Sequence, residues 1–260
     1  MEIAVEGLGK TYSSRGGEDV VALEGVTTTI AAGDFVSLVG PSGCGKSTLL
    51  DILTGLTPKT TGRILFNGES SDEIAPKRVG LVFQKSVLLP WRTALENVYL
   101  PAEVGRQPLA KTNEAEYRSR AEELLDLVGL SGFTEKYPWE LSGGMQQRVA
   151  IARALLLEAP VMCMDEPFAA LDEFAREQMH IELLRIWDKQ GFTAVFVTHN
   201  IFEAAFLSNR VLVMTPRPGK VVAEIEIDLP RPRSSDMIGS LEFTRNVRRV
   251  RDAMDQHWYQ

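Results

Sequence analysis

Residues 40–48 read Gly-Pro-Ser-Gly-Cys-Gly-Lys-Ser-Thr, which fits the phosphate-binding pattern G-x-x-x-x-G-K-[ST]. Glycines let such a loop curl so that its backbone N–H groups point inward and form a nest for an anion. Lys46 would reach the β- and γ-phosphates of a nucleotide, and the Ser47 hydroxyl would bind Mg²⁺. The residues expected to hold the nucleotide are therefore Gly40, Pro41, Ser42, Gly43, Cys44, Gly45, Lys46, Ser47 and Thr48.

A second glycine-rich segment, Leu141-Ser142-Gly143-Gly144-Met145-Gln146, lies further along the chain. It opens a stretch whose apolar spacing predicts a helix from Gly143 to about Leu157. Backbone N–H groups at a helix N-terminus bind anions, so this is a second potential phosphate-binding end. One nucleotide loop with two phosphate-binding ends suggests that the second end serves the nucleotide of a partner chain, as in an ATP-driven dimer.

Two adjacent carboxylates follow the apolar run Val161–Met164, which ends in Asp165-Glu166-Pro167. In open α/β sheets, ligands bind at the carboxyl ends of the strands. Asp165 suits Mg²⁺, which takes few carboxylates and keeps several waters, and Glu166 could act on an attacking water as general base. Taken without the phosphate loop, the same three residues would be interpreted as a strand-to-loop cap.

Three further polar side chains stand at predicted strand ends. His199 follows the strand Thr193–Val197 and is predicted to hydrogen-bond the γ-phosphate and hold the attacking water in line. Gln84 follows Val79–Phe83, where its amide could bind Mg²⁺ or water. Tyr12 could stack on the adenine ring. From position alone, a structural histidine and an ordinary surface tyrosine remain open as alternatives.

The elements around these residues predict an α/β fold. Phe35–Val39 leads into the glycine loop and helical spacing follows Lys46, which is the strand–loop–helix context that the motif requires. Strands alternating with helices imply a mostly parallel sheet covered on both faces. The remaining expectations are antiparallel strands at 3–8 and 21–30 with a turn at Ser13–Asp19, a helical charged region from Ala94 to about Val128 with a loop at Pro101–Lys111, and an amphipathic stretch at Glu173–Lys189.

Composition excludes several classes of protein. A net charge of −7 argues against a nucleic-acid partner, which usually requires a basic face. There is no apolar run long enough to span a membrane, and the acidic, alternating N-terminus is unlike a signal peptide. Two cysteines are too few for a disulfide framework, so we expect a cytoplasmic protein. The basic clusters are interpreted as a solvated helix face: Arg231, Arg233, Arg245, Arg248, Arg249 and Arg251.

Together these motifs resemble the ATP-binding subunit of ABC transporters over nearly the whole chain. The correspondence is specific in combination: Gly40–Thr48 resembles Walker A, Gln84 the Q-loop, Leu141–Gln146 the signature, Val161–Glu166 Walker B, Ala170-Leu171-Asp172 the D-loop, His199 the switch histidine and Tyr12 the A-loop aromatic residue. Two departures occur, because Met145 stands where the signature usually has Gln, and Asn200 where Asp usually follows the switch histidine.

The resemblance implies a P-loop NTPase core with an N-terminal antiparallel β subdomain and a helical subdomain at about 90–157. The nucleotide-binding domain would span 1–230, and a helical tail would pack on it from 231 to 260. Two subunits would face head to tail, so that Ser142, Gly143 and Gly144 of one close over the ATP of the other, with Asp172 nearby. A membrane permease would bind near Gln84 to Arg92, and an external solute-binding protein would act indirectly. The chain would lie peripherally on the cytoplasmic face of the inner membrane.

A finer resemblance to the nitrate/sulfonate/taurine importer group rests on three segments: Leu88-Leu89-Pro90-Trp91-Arg92, Pro216-Arg217-Pro218-Gly219-Lys220 and Leu229-Pro230-Arg231-Pro232-Arg233. The length of the chain is similar to that group too, because the resemblance implies an added C-terminal regulatory domain only for sugar-importer ATPases. Trp91 would line the groove for the permease, or alternatively pack under a loop. The functional alternatives are a permease-free ABC ATPase acting in DNA repair or translation, and a P-loop kinase or GTPase, which leaves Leu141–Gln146 unexplained. Sulfonate, taurine, nitrate and a pyrimidine-like vitamin precursor all remain open as the solute.

Overall fold

The computed structural model describes residues 1–13, 17–70, 79–104 and 110–258. The chain forms two compact units, the first of Met1–Val79, Pro160–Asp165 and Gly191–Gln260, the second of Gly80–Ala159 and Glu166–Gln190. The strands are β1 (Ile3–Tyr12), β2 (Val20–Ile30), β3 (Phe35–Val39), β4 (Thr61–Phe66), β5 (Glu69–Ser70), β6 (Val79–Val82), β7 (Val161–Asp165), β8 (Thr193–Val197), β9 (Arg210–Met214) and β10 (Val221–Glu226). The helices are α1 (Lys46–Leu53), α2 (Ala94–Glu103), α3 (Ala110–Leu127), α4 (Gly143–Leu155), α5 (Glu173–Gln190), α6 (Ile201–Leu207) and α7 (Leu241–Trp258).

The first unit contains an antiparallel sheet in the order β2-β1-β4-β5. Ile3, Val5 and Leu8 on β1 are buried while intervening residues are more exposed, the pattern of a strand with one face on a core. The predicted antiparallel pairing of the N-terminal strands is confirmed. The predicted turn at Ser13–Asp19 falls partly outside the described residues.

A second sheet of the first unit runs in the order β10-β9-β3-β8-β7. The pairs β9–β3, β3–β8 and β8–β7 are parallel, and β10 is antiparallel to β9. All five residues of both β3 and β8 are buried, as expected for strands covered on both faces. The predicted mostly parallel sheet is therefore confirmed for this unit.

The C-terminal helix α7 packs into the first unit through one face, burying Phe243, Val247, Val250 and Met254. Its arginines lie on the opposite, exposed face, which agrees with the solvated helix face predicted for them. The prediction is wrong for Arg233, which is buried, and for Arg231, which is half-buried outside any helix and donates to the Leu207 carbonyl at 2.9 Å. The Arg233 guanidinium donates to the carbonyls of Phe206 at 2.6 Å and Ser208 at 2.8 Å. A cation at these last carbonyls terminates α6 favourably.

The second unit is mainly helical, and the loop before α2 is held by hydrogen bonds from side chains at the start of that helix. Thr93 and Glu96 form a reciprocal capping box at the start of α2, which satisfies two backbone donors. The fully buried Asn97 accepts from the Leu89 backbone N–H at 2.8 Å and donates to the Leu89, Arg92 and Thr93 carbonyls. This leaves Trp91 69% exposed, so the alternative that it packs under a loop is wrong.

The loop predicted at Pro101–Lys111 is partly wrong, because helix α2 includes Pro101 and continues to Glu103. Residues 105–109 of that prediction lie outside the described part of the chain. Within the ranges that the structure describes, no helix combines the length and apolar character needed to cross a bilayer.

Candidate nucleotide site

The glycine loop connects the end of β3 to the start of α1. Gly43 and Gly45 have φ values of 74° and 104°, a left-handed conformation that glycine adopts without steric cost. A Cβ atom at Gly45 would lie 2.6 Å from Leu23 Cδ2 and 2.9 Å from the Ala22 carbonyl oxygen. The loop therefore passes against β2 at a distance that only glycine permits. No side chain caps α1, so backbone N–H groups of its first turn can serve an anion.

Lys46 is buried within the loop that it follows. Its Nζ donates to the carbonyl oxygens of Gly40 at 2.7 Å and Pro41 at 3.1 Å. Its ammonium lies 3.8 Å from the sulfur of Cys44. Burial raises the pKa of the Cys44 thiol, which therefore remains protonated at neutral pH. The Cys44 side chain is buried, so only its backbone N–H is suited to bind a phosphate.

The parallel register brings the ends of three strands to one edge of the sheet. Leu38 on β3 is opposite Val197 on β8, which is opposite Asp165 on β7. Gly40, directly after β3, and His199, two residues after β8, therefore lie at the same edge of the sheet as Asp165. His199 is exposed there.

Asp51 of α1 is a charged neighbour of Asp165 that sequence reasoning missed. Burial, and secondarily the charge of Asp165, raise the pKa of the Asp51 carboxyl. Like charges held close together favour binding of a cation between them, and carboxylate and hydroxyl oxygens are suitable ligands for Mg²⁺. Asp165 and Ser47 thus have the donor chemistry for Mg²⁺. Among the described residues there is no cluster of three or more His, Cys, Asp or Glu side chains arranged to hold a metal.

The residues around His199 fix its backbone. The buried Thr198 donates from Oγ1 to Glu203 Oε2 at 2.6 Å and accepts from the Asn200 N–H at 2.9 Å. Asn200 Oδ1 accepts from the Phe202 N–H at 2.9 Å and caps α6. An amide oxygen caps a helix as well as a carboxylate does, which accounts physically for Asn200 at a position where Asp is usual.

In the second unit, Gln84 and Glu166 are in contact. Gln84 Nε2 donates to Glu166 Oε2 at 3.1 Å, although the two residues are far apart in sequence. Glu166 has φ of 44°, an uncommon conformation for a non-glycine residue that occurs frequently at functional sites. The carboxylate predicted to be the general base therefore accepts a hydrogen bond from an amide that was predicted only to bind Mg²⁺ or water. The amide oxygen of Gln84 is the atom suited to Mg²⁺ or water.

The second glycine-rich segment is an exposed helix N-terminus. Ser142 is the N-cap of α4, and its Oγ accepts from the Met145 N–H at 3.3 Å. Gln146 is used internally, since its Nε2 donates to the carbonyls of Pro138 at 2.9 Å and Leu141 at 3.2 Å. Ser142 and Gly143 are exposed. The backbone of this end is thus available to an anion.

Residues 23–169 match the protein family described as "ABC transporter". That segment covers more than half of the chain. The chain belongs to the ABC transporter family. It is an ATPase of this family.

Individual relatives agree over most of their length. The chain is 41% identical to the aliphatic sulfonates import ATP-binding protein of Bacillus cereus, over 95% of this chain and 94% of that one. It is 47% identical to the taurine import ATP-binding protein of Rhizobium johnstonii, over 85% and 82% respectively. A solved dimeric structure of the ATP-binding cassette MJ0796 in a post-hydrolysis state, bound to ADP and Pi, superposes with a TM-score of 0.77 at 35% identity, covering 88% of this chain and 100% of that one. The predicted ABC ATPase fold is confirmed.

The residues predicted for the ABC nucleotide site fall into two groups. Tyr12, the Walker A loop, Asp165 and His199 belong to the first unit, and Gln84, Glu166, Asp172 and the signature belong to the second. In the second unit the predicted signature lies beside the predicted D-loop, because a Cβ at Gly144 would be 3.0 Å from Leu171 Cδ2.

Two predicted residues have local partners. Asp172 Oδ1 accepts from the Ala175 N–H at 2.9 Å, so this carboxylate caps the first turn of α5. Tyr12 is 42% exposed, and Lys10 Nζ lies 4.8 Å from its ring centroid. An ammonium at this distance is attracted to an aromatic ring. Lys10 also donates to the Pro58 carbonyl at 2.6 Å, so Tyr12 lies beside a cation that is held in place.

Proposed function

We propose that this ABC ATPase is the ATP-hydrolysing subunit of an importer, and that two copies clamp two ATP–Mg²⁺ and drive a separate membrane permease. The observation that carries the proposal is the exposed helix N-terminus at Ser142–Gly144 in a chain with its own Walker A loop. A second anion-binding end is explained if it closes over the nucleotide of a partner copy. The dimeric state of the solved MJ0796 cassette supports this arrangement.

In each nucleotide site, Walker A residues Gly40–Thr48 bind the phosphates and Tyr12 stacks on the adenine. Ser47, Asp165 and Gln84 would hold Mg²⁺, which would neutralise phosphate charge. Glu166 takes the proton of the attacking water, oriented by its hydrogen bond from Gln84. His199 donates to the γ-phosphate and keeps that water in line. Ser142, Gly143, Gly144 and Asp172 contribute from the partner copy.

Differential affinity explains how ATP would drive transport. A ligand shifts a conformational equilibrium only by its different affinity for the two states. ATP held by Walker A of one copy and the signature of the other binds the closed pair more tightly than the open one. Hydrolysis separates the phosphates, removes that difference and reopens the pair.

The proposed permease contact is the segment Gln84–Arg92. It starts at the residue that donates to Glu166 and ends beside the exposed Trp91. Arg153 fastens it by donating to the carbonyls of Ser86 and Val87, each at 2.9 Å. A segment that contacts the proposed base at one end and exposes a tryptophan at the other is suited to couple hydrolysis to a bound partner.

The proposed organisation is a nucleotide-binding domain at 1–230, with a helical subdomain at about 90–157, and a C-terminal tail at 231–260. The protein would be peripheral on the cytoplasmic face of the inner membrane. The proposed solute is a small molecule of the sulfonate, taurine or nitrate type, delivered by an external binding protein. The import names of the relatives favour this function over a permease-free ABC ATPase.

Affinity purification of the tagged chain from detergent-solubilised native membranes tests the proposal. We expect a multispanning membrane protein to accompany it at about one-to-one, and a Trp91→Ala variant to retain less of that protein. The matched control is Trp139→Ala, which removes another exposed tryptophan of the second unit outside the proposed contact. Ribosomal or DNA-repair proteins with no membrane partner would instead support the permease-free alternative.

A further inference from the structure

The turn Thr215–Lys220 follows β9 and has no role in the proposed mechanism. Its sequence is Thr-Pro-Arg-Pro-Gly-Lys. The Thr215 N–H donates to the Lys220 carbonyl, and the Lys220 N–H donates to Thr215 Oγ1, both at 3.0 Å. Thr215 Oγ1 in turn donates to the Pro218 carbonyl at 3.0 Å. These hydrogen bonds close the turn, so its central residues are held in a defined position.

Gly219 brings the backbone of this turn against Walker A. A Cβ atom at Gly219 would lie 2.0 Å from the Cys44 carbonyl oxygen, a distance that real side chains do not adopt. The Gly219 N–H donates to the Ala22 carbonyl at 3.0 Å, and its own carbonyl accepts from the Glu24 N–H at 3.1 Å. Because Gly45 also abuts Ala22, the turn, β2 and the phosphate loop meet at one place.

Arg217 reaches across to the phosphate loop. Its Nε and Nη2 each lie 3.3 Å from the Gly43 carbonyl oxygen and donate to it. When the N–H groups of a loop converge on an anion, carbonyl groups point outward and need partners of their own. The planar fork of a guanidinium supplies two donors in fixed geometry and a permanent positive charge. Arg217 therefore binds the Gly43 carbonyl, a group that points outward from the phosphate loop.

We propose that Arg217 is a positioning residue for Walker A. By holding the Gly43 carbonyl, it keeps the peptide between Gly43 and Cys44 in the conformation that binds nucleotide phosphates. Its charge acts in the same direction, because a cation beside the loop favours an anionic ligand. The inference rests on the proposed role of this loop in binding ATP.

Equilibrium binding of ATP, ADP and adenosine to the purified full-length chain tests this role. A hydrogen bond from a charged group stabilises less when it is exposed than when it is shielded, so we expect Arg217→Ala to raise the Kd for ATP about five- to tenfold. The Kd for adenosine should stay within about twofold, because adenosine has no phosphate. Arg217→Lys should fall between the two proteins, since it keeps the charge and loses the fork.

The matched control is Lys220→Ala, which removes a cation of the same turn that pairs with Glu24 at 2.8 Å. We expect it to leave the Kd for ATP within about twofold of the parent. Gly219→Ala should weaken ATP binding in the same direction as Arg217→Ala, because the added Cβ displaces the turn. The kcat at saturating ATP should change little in Arg217→Ala, while the KM for ATP rises.

Lys46→Ala separates failure of this inference from failure of the proposed function. If Lys46→Ala weakens ATP binding and Arg217→Ala does not, Arg217 is not a positioning residue and the nucleotide site stands. If neither variant alters the Kd for ATP, the assignment of the loop itself is wrong. Equal loss of ATP and adenosine affinity in Arg217→Ala, together with a lower melting temperature than Lys220→Ala, would show a general structural role and overturn the inference.

Discussion

The contact between Gln84 and Glu166 predicts how two variants combine. Glu166→Gln keeps the size of the side chain and removes the carboxylate that accepts the proton of the attacking water. A general base contributes about 10²–10⁴-fold to a rate, so we expect kcat for ATP hydrolysis to fall by that factor. ATP binding should remain, because Glu166 is not among the residues proposed to hold the phosphates. The closed pair should therefore accumulate.

Gln84→Ala removes the 3.1 Å hydrogen bond to the Glu166 carboxylate. Such a charge-assisted bond contributes about 1.5–3 kcal/mol, and about 1.4 kcal/mol corresponds to tenfold in rate. Because Glu166 is only partly buried, the lower end applies, and we expect about a tenfold loss of kcat. In the Glu166→Gln background, the part of this loss that comes from orienting the base should disappear, so Gln84→Ala should have a smaller effect, limited to the proposed contact of its amide oxygen with Mg²⁺.

Phosphate release under steady-state conditions measures all four proteins of this double-mutant cycle. Glu177→Gln is the matched control, since it neutralises an exposed carboxylate of the second unit and should leave kcat unchanged. Hydrolysis at the parental rate by Glu166→Gln would show that Glu166 is not the base. An equal tenfold loss from Gln84→Ala with and without Glu166 would show that Gln84 acts independently of the carboxylate.

Three further predictions concern other parts of the molecule. Lys46→Ala should raise the Kd for ATP at least about tenfold in a titration, because it removes the ammonium that is proposed to bind the phosphates. Unchanged affinity for ATP would contradict this role of Lys46. The pKa of Asp51 is raised in the folded state, so its ionisation costs stability as pH rises above its unfolded pKa of about 3.9. Asp51→Asn should therefore raise the melting temperature at pH 7, by an amount that shrinks toward pH 4, whereas a gain independent of pH would refute the electrostatic cause. Trp91→Ala should leave the ATPase rate of the isolated chain unchanged, and a slower rate in the absence of a permease would argue against a pure docking role.

Local sequence determined the parts of the site that are contiguous in the chain. The Walker A pattern predicted a strand, a turn and a helix because its glycines, lysine and hydroxyls must act within one short loop. The segment Leu141–Gln146 is also contiguous, because Ser142 caps the helix that begins at the next residue. Its pattern was therefore recognisable in the sequence. Buried apolar runs such as β3 and β8 indicated a parallel sheet, because strands covered on both faces lose the alternation of exposed and buried residues.

Charge alone did not determine burial. Arg233 and the arginines of α7 share a residue type, yet Arg233 is buried against the carbonyls that end α6 whereas Arg248 is exposed. A charge is buried only where the fold supplies enough hydrogen-bond acceptors for it. Those acceptors come from another segment of the chain, so the local sequence around Arg233 does not predict its burial.

Tertiary structure alone decided which distant residues meet. The contacts between Gln84 and Glu166 and between Arg217 and Gly43 join residues 82 and 174 positions apart. Asp51 likewise became a neighbour of Asp165 only when α1 and β7 packed in one unit. Such pairs depend on strand order, register and the path of each turn, which arise from many weak contacts acting together. The sequence by itself therefore determined the chemical groups of the site, and the fold decided which of them orient one another.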